Sequence, residues 1–206
     1  GACRSLCRGS HTLCVAITHP EQNANGLEAS GMDVLRILPW GMQSAFAKTR
    51  PGYDAETALF NAAAVLGEKL TACRLRQIAD VVHYLDEQNG YERVVFVGQG
   101  PGALLALLAA ALLPKARGAA LLETQLSFDA LFEADYYFAP ETAFETGLLR
   151  LCDLPDLAKL AGRVCAFTPK NPAGGSLAPH TPTPIPARWE KDALSAAAEW
   201  LEDKLC

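Results

Sequence analysis

The feature that most restricts this chain is the passage from residue 93 to residue 113. Arg93-Val94-Val95-Phe96-Val97 is an almost unbroken apolar run, Gly98-Gln99-Gly100-Pro101-Gly102 is a turn crowded with glycine, and Ala103–Leu113 is nearly all alanine and leucine. A strand without polar alternation is buried on both faces, as in a parallel sheet covered by helices. Pro101 suits the first turn of the following helix, where its missing N–H has no intrahelical partner to lose. A strand that bends through glycines straight into a buried helix belongs at the centre of a layered α/β structure.

The flanking segments supply the other layers. Leu13, Val15 and Ile17 alternate with smaller residues in His11–Thr18, the period of a strand. Asp33–Leu38 is a second short apolar run, stopped by Pro39. Asp54 can cap a helix over Ala55–Leu66 that Gly67 closes. In Glu68–Gln88 the residues Leu75, Ile78, Val82 and Leu85 recur at helical spacing, and Asn89-Gly90 ends that helix. Gly118–Leu122 reads as a buried strand with Glu123 at its carboxyl end, Leu154–Leu160 as a short helix and Arg163–Thr168 as the final strand. The stretch Thr124–Gly147 carries Phe128, Phe132, Tyr136, Tyr137, Phe138 and Phe144, and is expected to cover the core as helical or irregular structure. Residues 169–188 form a proline-rich loop predicted to stay out of the sheet. Trp189–Leu205 closes the chain as a helix with Trp189, Ala197, Trp200 and Leu201 near one face. The expectation is a three-layer α/β sandwich, a mostly parallel sheet with helices on both faces, in which all 206 residues form a single domain.

Composition narrows the partners. Half of the residues are hydrophobic and the formal net charge is −5. That balance excludes a disordered chain and argues against a protein that tracks nucleic-acid phosphates. No apolar run reaches the ~20 residues of a membrane span. The seven cysteines, Cys3, Cys7, Cys14, Cys73, Cys152, Cys165 and Cys206, include no Cys-x-x-Cys pair, so a structural zinc site is not expected. Cys14, Cys73 and Cys165 sit in apolar stretches and read as small buried hydrophobes. Cys3 and Cys7 could close a disulfide in an oxidising compartment.

The glycine turn is the chemically loaded position, because a strand-to-helix bend gathers backbone N–H groups and the positive end of a helix dipole at one spot. Three readings compete for it. Gly98-x-Gly100-x-x-Ala103 fits a dinucleotide-binding turn, with Glu123 placed 25 residues beyond Gly98 for a ribose hydroxyl. Against that, only one clear strand follows Glu123. Gly98-x-Gly100-x-Gly102 is also the frame of a nucleophile elbow, G-x-S-x-G, with glycine where the hydroxyl belongs. The third reading is purely architectural: the glycines let the helix pack close on the strand.

Beyond spacing, the sequence resembles the α/β-hydrolase superfamily, in particular its acetylxylan-esterase and dienelactone-hydrolase-like branch. The resemblance is carried by Val94–Leu104 and the helix behind it, by Gly118–Glu123 with Leu126-Ser127-Phe128, and by Cys152–Ala158 ahead of the strand Val164–Thr168. It implies that His11–Thr18 is the strand before the oxyanion loop and that Gly31–Ala45 is the next strand with its glycine-containing loop. It implies serine at position 100, an acid after Val164–Thr168 or after the preceding strand, and a late histidine. The chain departs at the nucleophile, at the acid after Val164–Thr168 and in the oxyanion loop. Position 100 is glycine, Thr168 is followed by Pro169-Lys170-Asn171-Pro172, and the oxyanion loop His19-Pro20-Glu21-Gln22 lacks glycine. Glu123 is the possible residual acid and His180 the possible residual base; His19 could face the same crevice, whereas His83 lies on an exposed helix face. Ser44 and Ser127 are substitute nucleophiles without an adjacent base.

The resemblance thus implies an α/β-hydrolase-like domain with a degenerate elbow, an accessory or ligand-binding module related to carbohydrate esterases. A small ligand or carbohydrate is expected at the crevice above Gly100, with no cofactor, metal, nucleic acid or membrane span. The alternatives are an active serine-type esterase, with Gly100 replacing Ser or another residue as nucleophile, and a dinucleotide-binding module. The family's habit favours a secreted or periplasmic setting. The chain opens at Gly1-Ala2-Cys3 as if excised from something longer, and because there is little room for strands ahead of His11–Thr18, the sheet is expected to be trimmed at its N-terminal strands or to lean on a neighbouring domain or chain.

Overall fold

A computed structural model describes residues 2–5, 10–18, 25–28, 31–42, 48–50, 53–136, 145 and 147–205. Seven strands form one sheet: β1 (Ala2–Ser5), β2 (Thr12–Ile17), β3 (Asp33–Ile37), β6 (Arg93–Gln99), β7 (Ala116–Leu122), β8 (Arg163–Phe167) and β9 (Ala187–Arg188), in the order β1-β3-β2-β6-β7-β8-β9. Every neighbouring pair is parallel except β1 with β3, which is antiparallel. A small hairpin of β4 (Lys48–Arg50) and β5 (Tyr53–Asp54) stands apart. The helices are α1 (Asn25–Glu28), α2 (Ala55–Val65), α3 (Leu70–Asn89), α4 (Pro101–Leu112), α5 (Leu154–Leu160) and α6 (Ala193–Leu205).

Side-chain alternation along the strands sorts the core into two layers. Leu13, Val15 and Ile17 of β2, Val94 and Phe96 of β6, and Leu121 of β7 face one side, against Ile78, Val82 and Leu85 of α3, residues 103–110 of α4 and Leu154 and Leu157 of α5. Cys14, Ala16, Val95, Val97, Cys165 and Phe167 face the other, against Leu27 of α1 and Ala197, Trp200 and Leu201 of α6. Phe167 and Trp200 meet edge to face, ring centroids 6.2 Å apart. Helix α4 is buried from Gly102 through Ala110, as expected of a helix apolar all round and flanked by others. Among the described residues no helix is long and apolar enough to cross a membrane.

Four expectations need correction. A strand does precede β2: four residues at the start of the chain pair antiparallel with β3 and cover that edge of the sheet. The stretch 169–188 does not stay wholly out of the sheet, since Ala187 and Arg188 pair with Ala166 and Phe167 and the Pro186 carbonyl accepts from Ala166 N–H at 2.8 Å. Proline cannot donate, but its carbonyl accepts like any other, and an edge strand needs bonds on one side only. The last helix begins at Ala193 rather than Trp189. Asp192 accepts from Ser195 N–H at 3.1 Å ahead of it, and the Trp189 indole instead donates to the Leu177 carbonyl at 2.8 Å. Cys73 is only partly buried, unlike Cys14 and Cys165.

Candidate functional site

The order in which the chain visits the sheet locates the crevice. From β2 it steps outward to β3, then returns across β2 to β6 and continues through β7 and β8 in the opposite direction. The switch point is therefore the gap between the carboxyl ends of β2 and β6, where open α/β sheets hold their ligands. The glycine turn of β6 stands at its rim.

The three glycines of the turn have different reasons to be there. A Cβ on Gly98 would lie 2.6 Å from Ala103 Cα and from Ala106 Cβ, and one on Gly102 would drive into the Ile17 carbonyl of β2. These two positions are held to glycine by close packing of α4 on β6 and β2. Gly100 is the opposite case. Its backbone takes φ 51° and ψ −120°, a conformation open to glycine and strained for other residues, yet a Cβ there would meet nothing within 4 Å. The turn has the sharp strained geometry of a nucleophile elbow, with open space among the described residues where a side chain at position 100 would stand.

Pro101 bears on the turn's donors as well as on the start of α4. In elbow hydrolases one oxyanion donor is the backbone N–H of the residue after the nucleophile. Here that residue is Pro101, which has none. Gly100 N–H is already bonded to the Leu122 carbonyl at 3.0 Å, and Ala103 N–H to the Gly100 carbonyl at 3.0 Å. The turn thus offers fewer backbone donors than its glycine content suggests. The sequence signal was legible: a proline immediately after the elbow's central position.

The acidic candidate Glu123 is close to the turn. Glu123, at the end of β7 with φ 49°, accepts from Gln99 Nε2 at 2.7 Å, so the acid and the elbow are brought together. The corresponding residue after β8 is Thr168, also at φ 49°, whose hydroxyl donates to the Glu190 carbonyl at 3.1 Å. Both places where the resemblance implies an acid are left-handed bends, and only one holds a carboxylate. His180 is exposed at φ 72° in the proline-rich segment, and no hydrogen bond or ion pair joins it to Glu123 or to another described residue. Two buried acceptors in this region, Gln99 Oε1 and Gln125 Oε1, lack a hydrogen-bond partner.

The substitute nucleophiles fare differently. Ser127 donates to Asp153 Oδ2 at 2.5 Å, while the same carboxylate accepts from Phe128 N–H at 2.8 Å and caps α5 through Leu154 N–H at 2.7 Å. A serine bonded to a helix-capping carboxylate, with no histidine between them, ties a loop to a helix. His83 is exposed and pairs with Glu87 at 3.3 Å. His19, with its loop to Gln22, Ser44, Tyr137, Phe138 and Phe144 lie outside the described residues, as do the side chains of Cys3 and Cys7. Phe128 is buried, while Phe132 and Tyr136 stand exposed.

Compared by sequence, the chain matches no family model and no curated protein. Compared by structure, it is similar to several esterases. A candidate acetyl xylan esterase of Bacteroides fragilis superposes with a TM-score of 0.57 at 12% identity over 76% of this chain, which spans only 51% of that protein. A cold-adapted esterase from an Arctic intertidal metagenomic library gives 0.62 at 15% identity, covering 100% of this chain and 88% of that one. Est1E of Butyrivibrio proteoclasticus, solved with ferulic acid bound, gives 0.53 at 13% identity over 98% of this chain and 92% of its own. With its antiparallel edge strand, six parallel strands and elbow at the switch point, the chain has the α/β-hydrolase fold seen in these esterases.

Proposed function

We propose that this chain is a hydrolase-fold domain without hydrolase chemistry, an accessory or ligand-binding module related to carbohydrate esterases. The observation that carries the reading is the pair Gly100-Pro101: the position of the nucleophile has no side chain, and the position of an oxyanion donor has no N–H. Nucleophile and base act as a unit, so the loss of one strands the other. The missing contact between Glu123 and His180 fits the same loss. The open space above Gly100 and the unpartnered acceptors of Gln99 and Gln125 support retention of a binding role, in which a hydroxyl-bearing ligand would supply the missing donors.

The test uses aryl acetate hydrolysis and labelling by a fluorophosphonate probe. The unmodified protein is expected to take no label and to show no turnover above buffer. Gly100→Ser is expected to remain inactive, because a single oxyanion donor is worth about 10²–10³ in rate and Pro101 still withholds it. The double variant Gly100→Ser, Pro101→Ala is expected to gain at most weak labelling. Labelling of the unmodified protein, or restoration of turnover by Gly100→Ser alone, would establish an active serine-type esterase site and overturn the proposal.

A further inference from the structure

Away from the elbow, a groove of about 510 Å³ opens at the far side of the sheet, along the first half of β8. It lies where β9, only two residues long, pairs only with Ala166 and Phe167, so that Arg163, Val164 and Cys165, paired with β7 on one side, have no strand on the other among the described residues. Its floor is apolar, made by Val164, Cys165, Ile185 and Trp200, and Pro155, Pro184 and Pro186 wall it. Burial pushes the Cys165 thiol up to about 11, so the floor carries no charge at neutral pH.

The rim is cationic. Lys159, Arg163, Arg188 and Lys204 all line the groove, and no acidic residue does among the described residues, although the chain as a whole carries −5. Three of these cations have local work. Lys159 pairs with Asp156 at 2.9 Å, Lys204 with Asp203 at 2.5 Å, and Arg163 donates to the Lys204 carbonyl at the end of α6. The Arg188 guanidinium makes no hydrogen bond or ion pair with a described residue; its field reaches the Cys165 thiol and the Asp203 carboxylate only at a distance. A partly open groove with an apolar lining, beside an exposed guanidinium that is unpaired among the described residues, matches a molecule that is flat and apolar at one end and anionic at the other.

We infer that this groove binds a small organic carboxylate with an aromatic or alicyclic body, the carboxylate on Arg188 and the body against the groove's apolar lining. It is independent of the elbow, two strands away in the sheet, so its fate and that of the proposed function are separable.

Calorimetry with 2-naphthoate, its neutral amide 2-naphthamide and inorganic phosphate tests it. One molecule of 2-naphthoate is expected per chain, with the amide and phosphate each weaker by on the order of tenfold, the loss of one charged hydrogen bond or of the apolar floor. Arg188→Gln is expected to weaken 2-naphthoate to a similar degree, and Arg76→Gln on the exposed face of α3 to leave it unchanged. Equal binding of the amide would reduce the groove to an apolar hollow, and equal binding of phosphate would reduce it to a patch of charge. Either result, or no binding of 2-naphthoate at about 1 mM, overturns the inference, and these comparisons on the unmodified protein stand even if a variant fails to fold.

Discussion

Gly98, Gly100 and Gly102 look alike in the sequence and are different objects in the structure. The outer two are locked by backbone atoms a Cβ would strike, and the central one faces open space from a strained backbone. Their substitutions should therefore separate. Gly100→Ala is expected to cost about 1–2 kcal/mol, the penalty of placing an ordinary residue at positive φ. Gly98→Ala and Gly102→Ala are expected to cost about 3 kcal/mol or more, since the neighbours are backbone and cannot move aside as a flexible side chain would. Urea denaturation midpoints measure all three. A Gly98→Ala variant no less stable than Gly100→Ala would mean that close packing does not set the elbow. The identity of these residues was readable without a structure, and so was the absence of a side chain at position 100. Which glycines are obligatory was not, because the atoms that exclude a Cβ belong partly to β2, some eighty positions earlier in the chain.

Among the elements, α5 shows how a short helix is made to hold. Seven residues are too few for a helix to persist by propensity, and Leu154–Leu160 is fastened by Asp153, which caps its first turn while binding Ser127 and the Phe128 amide. Asp153→Ala should cost about 1–3 kcal/mol, combining a lost cap with a hydroxyl and an amide left unpaired. Asp156, which completes the capping box from an exposed position and is held below the usual carboxylate range by its hydrogen bond from Lys159, should matter less. Thermal unfolding of the two alanine variants checks the ranking, and an equal or larger loss for Asp156→Ala would deny Asp153 its loop-tying role. Helices and central strands of this kind were legible from periodicity and turn residues. The edge strands β1 and β9 were not, for pairing at an edge requires few residues and little hydrophobic pattern.

At the scale of the whole molecule, α2, α3 and the turn after β3 are joined through a buried ion pair. Arg74 of α3 donates to Glu56 of α2 at 2.7 Å and to the Trp40 carbonyl at 2.9 Å, and Trp40 N–H donates to Gln77 at 2.8 Å. Both charged side chains are under a tenth exposed. Arg74→Met is expected to cost about 3–5 kcal/mol by leaving Glu56 buried without its counter-charge, and adding Glu56→Leu should recover much of that loss. Chemical denaturation of the single and double variants decides it, and a single variant that loses under about 1 kcal/mol would mean that Glu56 finds water or another partner. On a helical wheel Arg74 reads as one more charge beside the apolar face, and only the packing of α2 over α3 buries it. The same division runs through the candidate site. Glycine at position 100 and proline at 101 are facts of covalent chemistry, true in any conformation, and so a position 100 without a side chain and a position 101 without an N–H follow from the order of residues alone. That Glu123 reaches Gln99 while His180 meets no acid, and that four cations converge around an uncovered stretch of β8, depends on contacts between segments distant in the chain. Such contacts arise only when burial of the two core layers forces those segments together.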